Sequence, residues 1–293
     1  MLRFALPLGV LVPPAATLVL ALTPALLSGC KDQGKFSAQK AAEDVASLVQ
    51  LTNKDVEEVE RGMPDGAKKL AVLWTPGKTP RDDLAGVRTA LTRVRREVPA
   101  LNQAKSTFFA ITDERGIAIR NNLEQDAMAE KNLFGMFPDL AKAKDGPVST
   151  LGAFPETAAQ NPPDRDWIYA APIQADDKKL LGVYVTGWAY RRFAFHLQET
   201  LRHDLSEKLR KENDTGKLPV FYVALFDRTG VYSAPKTPDV DEKAMKDADL
   251  VTKTASGPYQ SVVSITDRDF GYAATRTPKL GPDTGIVVLR SEL

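Results

Sequence analysis

Beyond residue 36 the apolar positions follow a helical period first and a strand period later. From Ser37, a suitable N-cap, Val45, Leu48, Val49, Val56 and Val59 recur at three-and-four spacing and so share one helical face. Gly62-Met63-Pro64 is the expected stop. A second helix opens at Thr79-Pro80 with Asp82 and Asp83 behind it, carries the stripe Leu84, Val87, Leu91, Val94 and Val98, and ends at Pro99. Leu70 to Trp74, apolar throughout, is expected as a helical turn, and Arg88, Arg93, Arg95 and Arg96 as a solvated helix face.

From Ser106 the pattern becomes that of strands. Ser106 to Thr112 runs into Asp113-Glu114-Arg115-Gly116 and then Ile117-Ala118-Ile119, which predicts two strands around a tight turn with glycine at positive φ. The same order returns at Phe221 to Phe226, Asp227-Arg228-Thr229-Gly230 and Val231-Tyr232. Asp166-Trp167-Ile168-Tyr169-Ala170-Ala171 is likewise echoed by Asp269-Phe270-Gly271-Tyr272-Ala273-Ala274. Each copy precedes a polar turn and an apolar strand, Leu180 to Thr186 and Ile286 to Leu289. The ordered pair of repeats predicts two antiparallel sheets of hairpins, with residues 121–165 and 233–260 available to cover one face of each. Phe193, Leu197, Leu201, Leu205 and Leu209 form the stripe of a connecting helix that breaks up at Asn213-Asp214-Thr215-Gly216.

The N-terminus changes the picture by assigning a compartment. Met1-Leu2-Arg3 is a short positive segment, Ala15 to Leu22 an apolar run, and Leu27-Ser28-Gly29-Cys30 a small-residue cleavage site. Pro7, Pro13, Pro14 and Pro24 argue against a retained membrane helix. Leu27-Ser28-Gly29-Cys30 resembles the bacterial lipoprotein box, which implies an acylated Cys30 and a lipid-tethered envelope protein. Cys30 is the only cysteine among 293 residues, so an intramolecular disulfide is excluded. The chain has 39 basic and 38 acidic residues; residues 1–29 hold one charge, Arg3, so the mature chain is balanced. Such a chain has no net field to draw it to nucleic acid.

Phe108-Phe109-Ala110-Ile111-Thr112-Asp113-Glu114-Arg115-Gly116, the stretch from Gly135 through Asp139-Leu140-Ala141-Lys142-Ala143 to Gly146, and Ile168-Tyr169-Ala170-Ala171-Pro172-Ile173 with Gly182-Val183-Tyr184-Val185 resemble the Cache branch of extracytoplasmic PAS-like sensor domains. With helices ahead and a repeat behind, the resemblance is to a double Cache domain over residues 37 to 293. It implies an α+β fold of two PAS-like antiparallel-sheet modules in tandem, preceded by long amphipathic helices. The expected organisation is a signal peptide at 1–29, a tether at 30–36, N-terminal helices at 37–104, a first module at 105–190, a connecting helix at 191–217 and a second module at 218–293.

The resemblance also implies a pocket between sheet and covering loops that takes a small metabolite of the amino-acid, carboxylate or amine class. Arg165-x-Trp167 is similar to the arginine and tryptophan of amino-acid-sensing members, which implies a guanidinium for a ligand carboxylate. Those members place a second aromatic directly after tryptophan, where this chain has Ile168 before Tyr169. Their ammonium-binding aspartate would fall near Gly187, beside Thr186. By strand alternation Trp167, Tyr169 and Ala171 share one face, and Tyr184, Thr186 and Trp188 another. The candidate ligand-binding residues are therefore Arg165, Trp167, Tyr169, Tyr184, Thr186 and Trp188. Aromatic residues at this spacing also suit a core, and Arg165 also suits a pair with Asp164 or Asp166.

Catalytic chemistry is not expected. His196 and His203 lie seven apart, about 10.5 Å along a helix, too far for one metal ion without a third ligand. No metalloprotease, serine-nucleophile or phosphate-loop motif occurs, and no metal or cofactor is expected. Two function classes remain. One is a lipid-anchored sensor facing the periplasm or exterior that binds a metabolite and, since the chain ends at Leu293 after its last strand, signals through a partner protein. The other is an assembly lipoprotein that uses the PAS-like scaffold as a protein-binding surface.

Overall fold

The computed structural model describes residues 28–105, 107–155, 163–213 and 216–292. The apolar run expected as a signal peptide lies outside them. The first element is a single helix, α1 (Ser28–Leu70), 43 residues long. It starts before the predicted N-cap and absorbs Lys31 to Lys35, the expected tether. Those turns are helical because they have a surface to lie on: Gly34 is buried against Val262, and the Gln33 amide reaches the Glu292 carbonyl at 3.4 Å. The helix also runs through Pro64 instead of stopping there. An interior proline costs a helix about 3 kcal/mol in isolation. Here Met63, Ala67 and Leu70 on either side of it are fully buried, and that packing carries the helix onward.

A short 3-10 turn, Ala71–Leu73, occupies the apolar stretch expected as helical. Helix α2 (Leu84–Glu97) follows, with the Asp83 carboxylate accepting from the Gly86 N–H at 2.8 Å as N-cap. Its buried stripe is Val87, Ala90, Leu91 and Val94. A brief α3 (Pro99–Gln103) leads into the first sheet.

That sheet comprises β1 (Phe108–Thr112), β2 (Ala118–Asn121), β3 (Val148–Gly152), β4 (Asp166–Gln174) and β5 (Leu180–Ala189), in the order β2-β1-β5-β4-β3. Between β2 and β3 lies the short helix α4 (Leu133–Met136). Helix α5 (Tyr190–Lys211) then carries the chain to a second sheet of β6 (Val220–Asp227), β7 (Gly230–Ser233), β8 (Tyr259–Ile265), β9 (Arg268–Arg276) and β10 (Gly285–Ser291). Its order, β7-β6-β10-β9-β8, repeats the first with every strand advanced by five, and all pairings in both sheets are antiparallel. The duplication read from the repeats is thus a duplication of topology. Gly116 has φ +84, as its turn requires, whereas Gly230 pairs with Asp227 as the first residue of β7 and is not left-handed.

Each sheet has one face under its own intervening chain. In the first module α4 and the 3-10 turn Pro138–Lys144 lie over Ile168, Ala170, Val183 and Val185. In the second, α6 (Asp239–Asp247) and α7 (Leu250–Lys253) lie over Ala224, Ala274 and Val287. The opposite faces of both sheets share one core with α1, through Ala41, Val45 and Leu48 to Val59, Met63 and Ala67. The N-terminal half of α1 lies on the second sheet. Asp44 meets Arg290 at 2.7 Å in a buried pair, and Ser37 Oγ accepts from the Glu292 N–H at 3.3 Å. Burial raises the Asp44 carboxyl, which the Arg290 guanidinium partly offsets.

The closest approach is at Gly271 of β9, where a Cβ would run into the backbone of Ser37 and Ala38. Gly271→Ala must push α1 off the second sheet, and a lower urea midpoint, equivalent to a loss of about 1–3 kcal/mol in unfolding free energy, is expected, as for other overpacked interiors. An unchanged midpoint would contradict this contact.

Candidate functional site

The six residues expected to bind ligand fall into two groups. Trp167, Tyr169 and Ala171 of β4 pair directly with Trp188, Thr186 and Tyr184 of β5. Directly opposed residues of an antiparallel pair share a face, so the two trios form one wall, where two faces were expected. The wall faces α1, away from the covering loops. The space between sheet and covering chain, expected as the pocket, is occupied by Phe108, Met128, Phe137 and Leu140 over Ile168, Ala170, Val183 and Val185. The alternation of the strands was legible; which face α1 would take was not, because both faces are apolar.

The wall is a stack of rings. Trp167 and Trp188 lie 4.3 Å apart between centroids, Trp188 and Phe193 of α5 4.6 Å, and Phe109 and Tyr184 5.8 Å. Thr186 Oγ1 donates to the Phe108 carbonyl at 2.6 Å, which engages its hydroxyl within the sheet. Three polar atoms of the wall, by contrast, are buried without a hydrogen-bond partner among the described residues: Trp167 Nε1, Trp188 Nε1 and Tyr184 OH. Burial pushes the Tyr184 phenol far above its ordinary range. His196 sits on α5 at the rim of this wall with Nε2 3.6 Å from Asp55 Oδ2.

Arg165 stands apart. Its Nε lies 3.1 Å from Asp227 Oδ2 at the end of β6, so its carboxylate partner belongs to the second module and is neither Asp164 nor Asp166. Asp227 Oδ1 accepts from the backbone N–H groups of Thr229 and Gly230 at 2.7 and 3.2 Å. Next to this pair, Tyr190 OH and Thr284 Oγ1 are 3.1 Å apart, Tyr190 packs edge-on to Tyr232, and Arg191 reaches Glu242 at 3.6 Å. Arg165 is a bolt between the modules.

At the edge of the wall, where β5 passes into α5, a cleft of about 250 Å³ opens beside Trp188 and Phe193, under Arg95 of α2, Lys105, and Arg192 and His196 of α5. Arg192 and His196 are i and i+4 on one helix face, a spacing visible in the sequence. Their meeting with Arg95 and Lys105 depends on how α2 and α5 pack and left no local signal. Among the described residues no group of His, Cys, Asp and Glu side chains could hold a metal ion.

No family model matches the sequence, and no curated protein matches it. Solved structures do. The extracellular domain assigned to the histidine kinase vpHK1S-Z8 superposes with a TM-score of 0.53 at 11% identity, over 89% of this chain and 93% of that one. An extracellular ligand binding receptor from Desulfohalobium retbaense superposes with a TM-score of 0.51 at 12% identity, over 85% of this chain and 40% of the receptor. This chain therefore spans well under half of that receptor's length. The fold that superposes is, in this chain, two five-stranded sheets of identical strand order on one long helix.

The chain has a double Cache fold. Within that fold the strand β4 of the first module is entered through a pair of acids. Asp166 opens β4 and is buried, with Oδ2 3.4 Å from the Phe154 N–H; burial, reinforced by the nearby Asp164 charge, pushes its carboxyl up to about 7. Asp164 is raised by burial as well, against the N–H groups of Arg191 and Arg165 on its Oδ1 at 3.2 and 2.9 Å.

A carboxyl raised on folding stabilises the native state below its unfolded pKa, and that contribution is lost as pH rises through its folded value. For Asp166 the window runs from about 4 to about 7. Asp166→Asn should therefore remove a fall in stability of roughly 2–3 kcal/mol between pH 5 and 8, read from urea midpoints at each pH. A variant that follows the parent curve would contradict the raised carboxyl.

Proposed function

We propose that this protein is a lipid-anchored, extracytoplasmic sensory module that binds a small metabolite in its first sheet module and passes occupancy to a partner protein. The observation that carries the reading is the wall facing α1, where three buried polar atoms of β4 and β5, Trp167 Nε1, Trp188 Nε1 and Tyr184 OH, lack a hydrogen-bond partner among the described residues. Native proteins leave few such groups, each costing about 1–3 kcal/mol, and a polar ligand or ordered water offsets that cost. The fold is shared with an extracellular ligand binding receptor and with a kinase ectodomain, which agrees with a sensory role.

The geometry suits an anchor at Cys30. Cys30 lies at the beginning of α1, whose first half rests on the second module, while the Trp167–Trp188 wall meets the second half. At 1.5 Å per residue, about 54 Å of helix separates Cys30 from Gly66, which lies against Tyr184. An acylated Cys30 thus sets the second module near the bilayer and the first far from it. No helix among the described residues is long and apolar enough to cross a membrane.

A second reading, an assembly lipoprotein that presents the scaffold to other proteins, draws on the covered face of the first sheet, which apolar side chains fill. Two measurements decide. Mass spectrometry of the mature N-terminus should find acyl chains on Cys30, and Cys30→Ala should leave the membrane fraction; an unmodified Cys30 would overturn the anchor. A thermal-shift panel of carboxylates, amino acids and amines should raise Tm for at least one class, since a ligand at 100 times its Kd adds about 2.7 kcal/mol. A panel without any shift would favour the assembly reading.

A further inference from the structure

Three cationic side chains from separate parts of the chain converge on the cleft beside Trp188. Arg95 comes from α2, Lys105 from the link between α3 and β1, and Arg192 from the first turn of α5, with the His196 imidazole one turn further. Among the described residues none of the three cations is engaged in an ion pair; Arg95 lies over the Phe109 ring, 5.3 Å from its centroid. Like charges gathered at one small opening repel one another, and an anion between them turns that repulsion into attraction. The floor is of the opposite character. Trp188 and Phe193, stacked on each other and 1% and 2% exposed, close the bottom of the cleft, so that a carbon skeleton would meet only the margins of the two rings. The buried Nε1 donor of Trp188, a residue that lines the cleft and is only 1% exposed, has no acceptor among the described residues.

We propose that this cleft is the ligand site, and that it takes a small organic carboxylate, with the acid group held by Arg95, Lys105 and Arg192 and the carbon body against the ring margins of Trp188 and Phe193 at the bottom of the cleft. The inference rests on the reading of the first module as ligand-binding and adds to it the place and the chemical class. Its volume, about 250 Å³, is below the 300–1,000 Å³ or so of pockets for drug-sized ligands and fits a metabolite. The site lies on the α1 side of the sheet, at the point where β5 becomes α5. That helix packs on the second module, where the Gln198 Oε1 accepts from the Val223 N–H at 3.1 Å. Occupancy therefore bears directly on the helix that joins the modules.

The test uses the full mature chain, read by its indole fluorescence, to which Trp188 contributes with Trp74 and Trp167. Propionate, succinate and benzoate are titrated against their neutral amides and against inorganic phosphate. At least one carboxylate should change the emission while its amide does not, and its affinity should fall as sodium chloride rises. Lys105→Gln with Arg192→Gln, both exposed positions, should weaken that carboxylate by about tenfold or more without moving the melting temperature of the free protein. Arg228→Gln in the second module is the control and should leave binding unchanged.

Four results would overturn the proposal. A carboxylate that binds equally well to the Lys105, Arg192 double variant places the site elsewhere. Phosphate binding as tightly as any carboxylate removes the organic floor from recognition. An amine or amino acid that raises Tm, unaffected by the double variant and with carboxylates inert at millimolar concentration, removes the cleft while leaving the sensory reading in place; inertness of every class removes both.

Discussion

Neither sheet can bury both of its faces with its own covering chain, since each intervening segment reaches only one side. The other side of each is closed by α1, and it is the same helix for both. This shared contact governs the architecture of the whole chain. It explains a helix that tolerates Pro64 in its interior and a glycine in β9 where the two backbones nearly touch. The buried pair of Asp44 with Arg290, and the exposed pair of Glu57 with Lys279, tie the helix to strands and turns more than two hundred residues away. Such pairs add little energy on a surface and a defined register where buried. The bulk of the attraction comes from the apolar row from Ala41 to Leu70 against two sheets.

Because α1 takes one face and the covering chain the other, the aromatic residues of β4 and β5 could serve either side. Period-two alternation says that Trp167 and Tyr169 stand together, and Tyr184 with Trp188, and they do. It does not say which layer they meet, since Ile168, Ala170, Val183 and Val185 are as apolar as their neighbours. The strands, both tight turns, the capping acids of α2 and the tandem repeat were legible because each depends on residues close in sequence. The reach of α1 beyond both of its expected ends, the Arg165–Asp227 bolt and the meeting of Arg95 with Lys105 and Arg192 depend on packing between distant segments. Nothing local to Arg165 distinguishes a ligand carboxylate from that of Asp227 in the other module.

The proposed anchor lies at the start of α1, and the proposed site lies beside the later half of that helix, where His196 meets Asp55. A small molecule held between α2, β5 and α5 touches the first module where it joins the connecting helix, and the same module is bolted to the second through Arg165, Tyr190 and Arg191. A change at the cleft thus has two covalent or packed routes to the base of the molecule, along α5 and along α1. Coupling of that kind requires that the two modules not behave as independent beads.

The most direct measurement of that requirement is urea unfolding followed with a separate probe for each module. Trp74, Trp167 and Trp188, the only tryptophans, all belong to the first-module half, where Trp74 lies against Gly182 of β5; hydrogen exchange of the β6 and β10 amides reports on the second. A helix shared by both cores predicts one transition, with coincident midpoints for the two probes. A second sheet that loses protection at a urea concentration where the indole emission is still native would contradict the account.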